Sequence, residues 1–300
     1  MNIPPTLKPG DTIGLVSTAR KITPEELQPA IDCLSDQGFK IVLAPNLCNQ
    51  LNQFAGTDAQ RTADFQWMIE QSEIKAILCT RGGYGTVRII DSVDFTPLLR
   101  NPKWICGYSD VTVLHAHLNK LGIQSLHCTM PINFPTDGSV NESVKTMLGV
   151  LQGAPQTYDT SAQLLNRRGK ATGELVGGNL SILYSIQGSV SALDTEGKIL
   201  FIEDLDEYIY HIDRMMMNLK RSGKLSKLAG LIVGGMTDMH DNTVPYGKTA
   251  EEIIHDAVYE FDYPVCFGFP AGHIDPNLAL PMGGDISLTV TQEKSTITII

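Results

Sequence analysis

The chain has 300 residues, enough for two domains of about 150 residues each and for burial of about 75% of the unfolded surface. Its composition, 42% hydrophobic and 19% charged with 27 Gly and 16 Pro, excludes a disordered chain and a fibrous one. With 23 basic against 33 acidic side chains the net charge is −10. A field of that sign repels phosphate backbones and anionic bilayers, so neither nucleic acid nor a membrane is an expected partner.

The N-terminal stretch MNIPPTLKPGD has no basic start followed by an apolar run, and no window approaches the ~18 apolar residues of a membrane span. A cytoplasmic, soluble protein is expected. The six cysteines (Cys33, Cys48, Cys79, Cys106, Cys128, Cys266) form no C-x-x-C pair, and most stand in apolar runs. They read as reduced core residues.

Short apolar runs at 12–17 (TIGLVS), 40–44 (KIVLA), 75–79 (KAILC) and 103–107 (KWICG) alternate with helical patterns, which is how a parallel sheet is built. The first helix has a defined start. Thr23 can cap it, Pro24 suits its first position, Glu26 completes a capping box, Ile22 can staple onto Leu27, and Gly38 ends it. A second helix fits 58–72, introduced by Thr57. From about 134 to 170 the pattern weakens through PTDGS, QGAPQT and NRRGK around one helical candidate near 141–151. The expected organisation is an N-terminal open parallel-sheet α/β domain over 1–150, a linker over 151–170, and a C-terminal mixed α/β domain over 171–300. That second domain has strand candidates at 172–176, 199–203 and 229–233, helices at 207–221 and 248–260, and a β-rich closing segment containing ISLTV and TITII. In the 207–221 helix, Ile209, Ile212, Met215, Met216 and Leu219 share one face and are read as core filling.

Four segments could carry chemistry. Cys106-Gly107-Tyr108-Ser109-Asp110-Val111-Thr112 passes from a strand into a helix, the setting of a nucleophile elbow, with backbone N–H groups nearby for an oxyanion. Val111 stands where G-x-S-x-G has its second Gly, and a plain helix N-cap at Ser109 or Asp110 is the competing reading. Arg81-Gly82-Gly83-Tyr84-Gly85 follows the strand ending at Cys79. Its glycines would let a ligand approach the backbone, to receive an oxyanion N–H or to seat a carboxylate beside Arg81, unless the segment is only a tight turn. Phe201-Ile202-Glu203-Asp204-Leu205-Asp206-Glu207 runs a strand into four acids. One could orient a histidine, with Glu203 at the strand terminus preferred; several could instead hold a divalent cation, and Asp206 and Glu207 are expected in the start of the next helix. Phe269-Pro270-Ala271-Gly272-His273-Ile274-Asp275-Pro276-Asn277 is a turn-rich loop in which His273 could act as a base, whereas His115 and His117, two apart on a helix, point in different directions.

In order along the chain, RGGYG, GYSDVT, GGNL at 177–180, the FIED strand end followed by IDRMM, and FGFPAGH resemble the LD-carboxypeptidase family of serine peptidases, which includes the microcin C self-immunity proteins. The resemblance implies a triad of Ser109 as nucleophile, His273 as base and Glu203 as its orienting carboxylate, with the site in an interdomain cleft. It also implies an oxyanion hole from the N–H groups of Asp110 and Gly83, substrate contacts from Arg81, Gly82 and Tyr84, no metal or organic cofactor, a homodimer, and release of terminal D-alanine from a murein tetrapeptide. The expected partner is a small peptide with a free C-terminal carboxylate. Two other functions are weighed against this: hydrolysis of peptidyl or aminoacyl nucleotides, as in the microcin branch, and a non-catalytic two-domain ligand-binding protein.

Overall fold

In the computed structural model, which describes residues 1–300, strand β1 (Thr12–Val16) is buried at every position, as a strand covered on both faces must be. Helix α1 (Pro24–Asp36) begins as its sequence dictates: the Thr23 side chain accepts from the Glu26 N–H and the Thr23 N–H donates to the Glu26 carboxylate. Strand β2 (Lys40–Leu43) is followed by helix α2 (Asp58–Glu70), closed by the same reciprocal cap between Thr57 and Gln60. Then come β3 (Ile74–Cys79), α3 (Thr96–Arg100), β4 (Trp104–Gly107), α4 (Thr112–Lys120), β5 (Ser125–His127) and α5 (Glu142–Leu151). The strands form one sheet in the order β2-β1-β3-β4-β5, parallel throughout.

The second sheet starts with β6 (Thr157–Ser161) and β7 (Gly169–Asn179), continues through α6 (Leu180–Ser185), β8 (Ile199–Leu205), α7 (Ile209–Arg221), β9 (Gly230–Thr237), α8 (Ala250–Val258) and β10 (Val265–Cys266). Strand β11 (Leu280–Met282) returns to the first sheet beside β5, and β12 (Asp285–Val290) and β13 (Lys294–Ile299) complete the second. Its order is β10-β9-β8-β7-β12-β13-β6. The pairs from β10 to β7 are parallel and those from β7 to β6 antiparallel. This is the two-domain α/β architecture the sequence predicts, with a mixed second sheet closed by C-terminal strands.

Two compact units result: Met1–Ala154 with Leu278–Pro281, and Pro155–Asn277 with Met282–Ile300. The span expected as a linker, 151–170, holds the last residue of α5, all of β6 and the start of β7. Its one apolar strand residue, Tyr158, is buried opposite Ile297 on β13, so a polar edge strand reads as a loop. Helix α7 begins at Ile209 rather than 207 and buries the Ile209, Ile212, Met215, Met216 and Leu219 face. The cysteines are all free thiols, five buried and Cys48 half-buried. No helix is long and apolar enough to cross a membrane.

Candidate active site

Strand β4 delivers the first group. At its carboxyl end Ser109 has φ +63°, a left-handed conformation that a non-glycine residue adopts only where its surroundings hold it there. A single tight turn, Ser109–Val111, leads into α4, and no side chain caps either segment, so the plain N-cap reading does not describe this turn. Gly107 explains the missing second glycine: at φ +148° a Cβ there would come 2.8 Å from Val111 Cγ2. The close packing that an elbow needs is obtained by Gly107 giving way to Val111.

Two buried polar groups fix the turn. The Asp110 carboxylate, 1% exposed, accepts from the Thr86 N–H at 2.7 Å, and burial pushes its carboxyl up against the opposing pull of that bond and of the Arg61 charge. His115 reaches back from α4, its Nε2 2.9 Å from the Gly107 carbonyl and its Nδ1 2.8 Å from Ser125 Oγ. A carbonyl only accepts, so Nε2 carries the proton and Nδ1 accepts from the serine. Burial pushes the His115 imidazole down to about 4, which keeps it neutral near pH 7. Sequence reasoning discounted His115 as a metal ligand without giving it another role; its place on the buried side of the helix after the turn was the available signal.

The RGGYG segment lies against this serine. A Cβ at Gly82 would fall 2.8 Å from Ser109 Cβ and 2.9 Å from its Oγ, so only glycine fits beside the hydroxyl. Gly83, at φ +109°, is covered by the aliphatic stem of Arg20, and a Cβ at Gly85 would strike the buried Arg61 guanidinium. Arg61 in turn donates to the Thr18 carbonyl at 2.7 Å and pairs with Asp58, tying the loop after β1 to α2. Arg81 is turned to Glu26 at 3.5 Å. Tyr84 is 46% exposed, its ring 6.2 Å from that of Phe54.

Glu203 and His273 lie in the second unit. Glu203 lies in β8 and is fully buried, and its Oε2 accepts both the His273 N–H at 3.2 Å and the ring Nδ1 at 2.7 Å. With Nδ1–H donating to a carboxylate, Nε2 holds the lone pair, which is the tautomer of a general base. The His273 loop passes over Glu203 because residue 272 is glycine: at φ +102° a Cβ would come 2.5 Å from Glu203 Oε2. The loop is pinned by the Gly235 N–H on the Ala271 carbonyl (3.0 Å), by the Gly272 N–H on Asn277 Oδ1 (2.9 Å) and by Thr237 Oγ1 on the His273 carbonyl (3.3 Å).

The remaining acids of the FIEDLDE run have other partners. Asp204 accepts from Asn179 Nδ2, Ser181 N and Leu205 N at 2.8–2.9 Å. Burial above all, and the neighbouring Glu203 charge, push its carboxyl up to about 7. Asp206, expected in the next helix, lies before it at φ +57° and meets His240 Nε2 at 2.5 Å, while Glu207 meets His211 Nδ1 at 2.6 Å. The four acids point to four different partners, and no group of three His, Cys, Asp or Glu side chains is arranged to hold a metal ion.

The first α/β unit holds a strained serine turn against a glycine loop and the second an imidazole oriented by a buried carboxylate, groups of the kind that hydrolases use. The chain belongs to the LD-carboxypeptidase family, whose N-terminal domain matches residues 13–128 and whose C-terminal domain matches residues 172–288, and it is a peptidase. Among its relatives is the probable murein peptide carboxypeptidase of Bacillus subtilis, 36% identical over 98% of this chain and 93% of that one. The microcin C7 self-immunity protein MccF of Escherichia coli is 27% identical over 96% of this chain and 93% of its own. The crystal structure of muramoyltetrapeptide carboxypeptidase from Oxalobacter formigenes superposes with a TM-score of 0.88 at 26% identity, covering 96% of this chain and 98% of that one.

Proposed function

We propose that this peptidase is of the serine type and hydrolyses the amide between an L-centre and a terminal D-residue, releasing D-alanine from murein tetrapeptide. The observation that carries the reading is the 2.7 Å bond from His273 Nδ1 to a fully buried Glu203 carboxylate. Such a pair has no structural need of a histidine that keeps 13% of its side chain exposed.

Ser109 Oγ attacks the scissile carbonyl while His273 Nε2 takes its proton, and Glu203 stabilises the imidazolium. The N–H groups of Asp110 and Gly83 receive the negative charge that develops on the carbonyl oxygen. His273 then protonates the departing D-alanine amine, and water, activated by the same imidazole, releases the peptide acyl group from the serine. Gly82 leaves room for the substrate backbone beside the hydroxyl, and Tyr84 offers an exposed ring to its flank. The match in name and length to murein carboxypeptidases supports a peptide substrate.

Incubation with a murein tetrapeptide is expected to yield D-alanine and tripeptide in equal amounts, and Ser109→Ala to abolish the release. Full activity in that variant, or none in the parent, overturns the reading. A parallel assay on an aminoacyl sulfamoyl adenosine tests the relationship to the microcin immunity protein; faster turnover of that conjugate than of the tetrapeptide reassigns the substrate.

A further inference from the structure

We infer that Arg20, rather than Arg81, anchors the terminal carboxylate of the substrate and so sets the preference for a free C-terminus; this rests on the carboxypeptidase reading above. In the order β2-β1-β3-β4-β5 the chain direction of the connections reverses between β1 and β3, and the crevice at the carboxyl ends of such strands is where open α/β sheets bind ligands. The loop after β1 carries Arg20, the loop after β3 carries Gly82 and Gly83, and the turn after β4 carries Ser109.

A terminal residue places its carboxylate only about one residue length, roughly 3.8 Å, from the bond that is cut. The anchor must therefore stand on whatever adjoins Ser109, and that is the Gly82–Gly83 pair. Arg20 lies directly on it: a Cβ at Gly83 would come 2.5 Å from Arg20 Cγ, and the Arg20 N–H donates to the Gly82 carbonyl at 3.4 Å. Its backbone is held on both sides, by the Ala55 N–H on the Ala19 carbonyl at 3.1 Å and the Lys21 N–H on the Gln53 carbonyl at 3.0 Å.

The other cations nearby are committed. Arg81 pairs with Glu26, Arg61 is buried on Thr18 and Asp58, Arg88 pairs with Asp58, and Lys21 bonds Gln50. The Arg20 residue is exposed and its guanidinium has no ion-pair partner. A planar fork of donors on a fixed backbone suits bidentate capture of a carboxylate.

The test compares a tetrapeptide ending in free D-alanine with the same peptide ending in D-alaninamide, using the parent, Arg20→Gln, Arg20→Lys and, as a charge control on the same loop, Lys21→Gln. Arg20→Gln is expected to lose roughly 10- to 100-fold in kcat/KM on the acid, mostly through KM, with little change on the amide; that is the range of a charge-assisted hydrogen bond. Arg20→Lys should recover part of the loss and Lys21→Gln should keep the parent's acid-to-amide ratio. An unchanged ratio in Arg20→Gln, or collapse of the ratio in Arg81→Gln instead, overturns the assignment. If the parent cleaves neither peptide, the carboxypeptidase reading fails by itself, and Arg20 is judged by calorimetry on Ser109→Ala: equal affinity for acid and amide there overturns it.

Discussion

Replacing Glu203 by Gln removes a charge while keeping the shape of the side chain. In the parent, Oε2 accepts two bonds from His273, at 3.2 and 2.7 Å. In the proposed mechanism the imidazole takes the serine proton, its positive charge arises about 4 Å from the carboxylate, and at an effective dielectric constant of about 20 that pair is worth about 4 kcal/mol, or a factor of about a thousand in rate. The Gln amide can also donate to Nδ1 and select the wrong tautomer, which brings the expected fall in kcat/KM to about 10⁴-fold, as an Asp→Asn change does in serine-protease triads. Stability should move the other way. Glu203 is fully buried, its Oε1 has no hydrogen-bond partner, and its charge helps to raise Asp204, so neutralising it relieves desolvation and repulsion. The variant is expected to be folded, with a Tm equal to or above that of the parent, and nearly inactive. D-alanine release and thermal unfolding measured on one preparation decide the matter. Activity within tenfold of the parent, or a Tm several degrees lower, would refute the orienting role.

Gly82→Ala puts a Cβ 2.8 Å from Ser109 Cβ and 2.9 Å from Oγ. A displacement of the hydroxyl of about 1 Å should cost at least 100-fold in kcat with little loss of Tm, and unimpaired turnover would mean that the loop does not bound the reacting centre. Gly272→Ala meets both a positive φ and a contact of 2.5 Å with Glu203 Oε2; a destabilisation of about 1–3 kcal/mol, read from urea unfolding, should accompany loss of activity, and an unaltered midpoint would contradict the packing described. His115 bears on pH. Its folded value of about 4 lies below the ordinary 6.5, so between these values the unfolded chain binds a proton that the folded chain does not. Its contribution is therefore present above about pH 6.5 and lost as pH falls toward 4. His115→Gln should flatten that limb of stability against pH while lowering activity at every pH through the lost bond to Gly107, and an acid limb as steep as the parent's would exclude this origin.

The elements legible in the sequence were those whose signals are local. Thr23, Pro24 and Glu26 state the start of α1, and the apolar runs at β1, β3, β4 and β8 are long enough to read as strands. Strands β5, β10 and β11 have only two or three residues, too few for a period of two to appear. Strand β6 buries a single apolar side chain, so its strand character comes from pairing with β13, which lies some 130 residues away in the chain. The candidate site divides in the same way. Ser109 follows the end of β4 and His273 stands in a glycine-proline loop, positions that chain order reveals. Glu203, expected at a strand terminus, lies two residues inside β8, which runs on to Leu205 through its pairing with β9. Chain order does not reveal their supports: Arg61 has an acidic neighbour at Asp58 and resembles a solvated helix residue, yet it is buried on a carbonyl 43 residues earlier. Arg81 sits next to the glycines in sequence, but its side chain goes to Glu26, and the cation laid over Gly83 comes from another loop.

Both candidate centres depend on side chains that are absent. The hydroxyl of Ser109 is approached by backbone because residue 82 has no Cβ, the elbow packs because residue 107 yields its space to Val111, and the imidazole of His273 closes on its carboxylate because residue 272 does the same for Glu203. Polar residues at these sites have alternative rotamers and can relax around a change. Backbone pressed against a neighbouring atom, at positive φ for residues 107 and 272, has no such freedom. The glycines therefore constrain the geometry more tightly than the reacting groups themselves, and a motif such as RGGYG carries its meaning in the contacts that its glycines permit, Ser109 for one and Arg20 for the next.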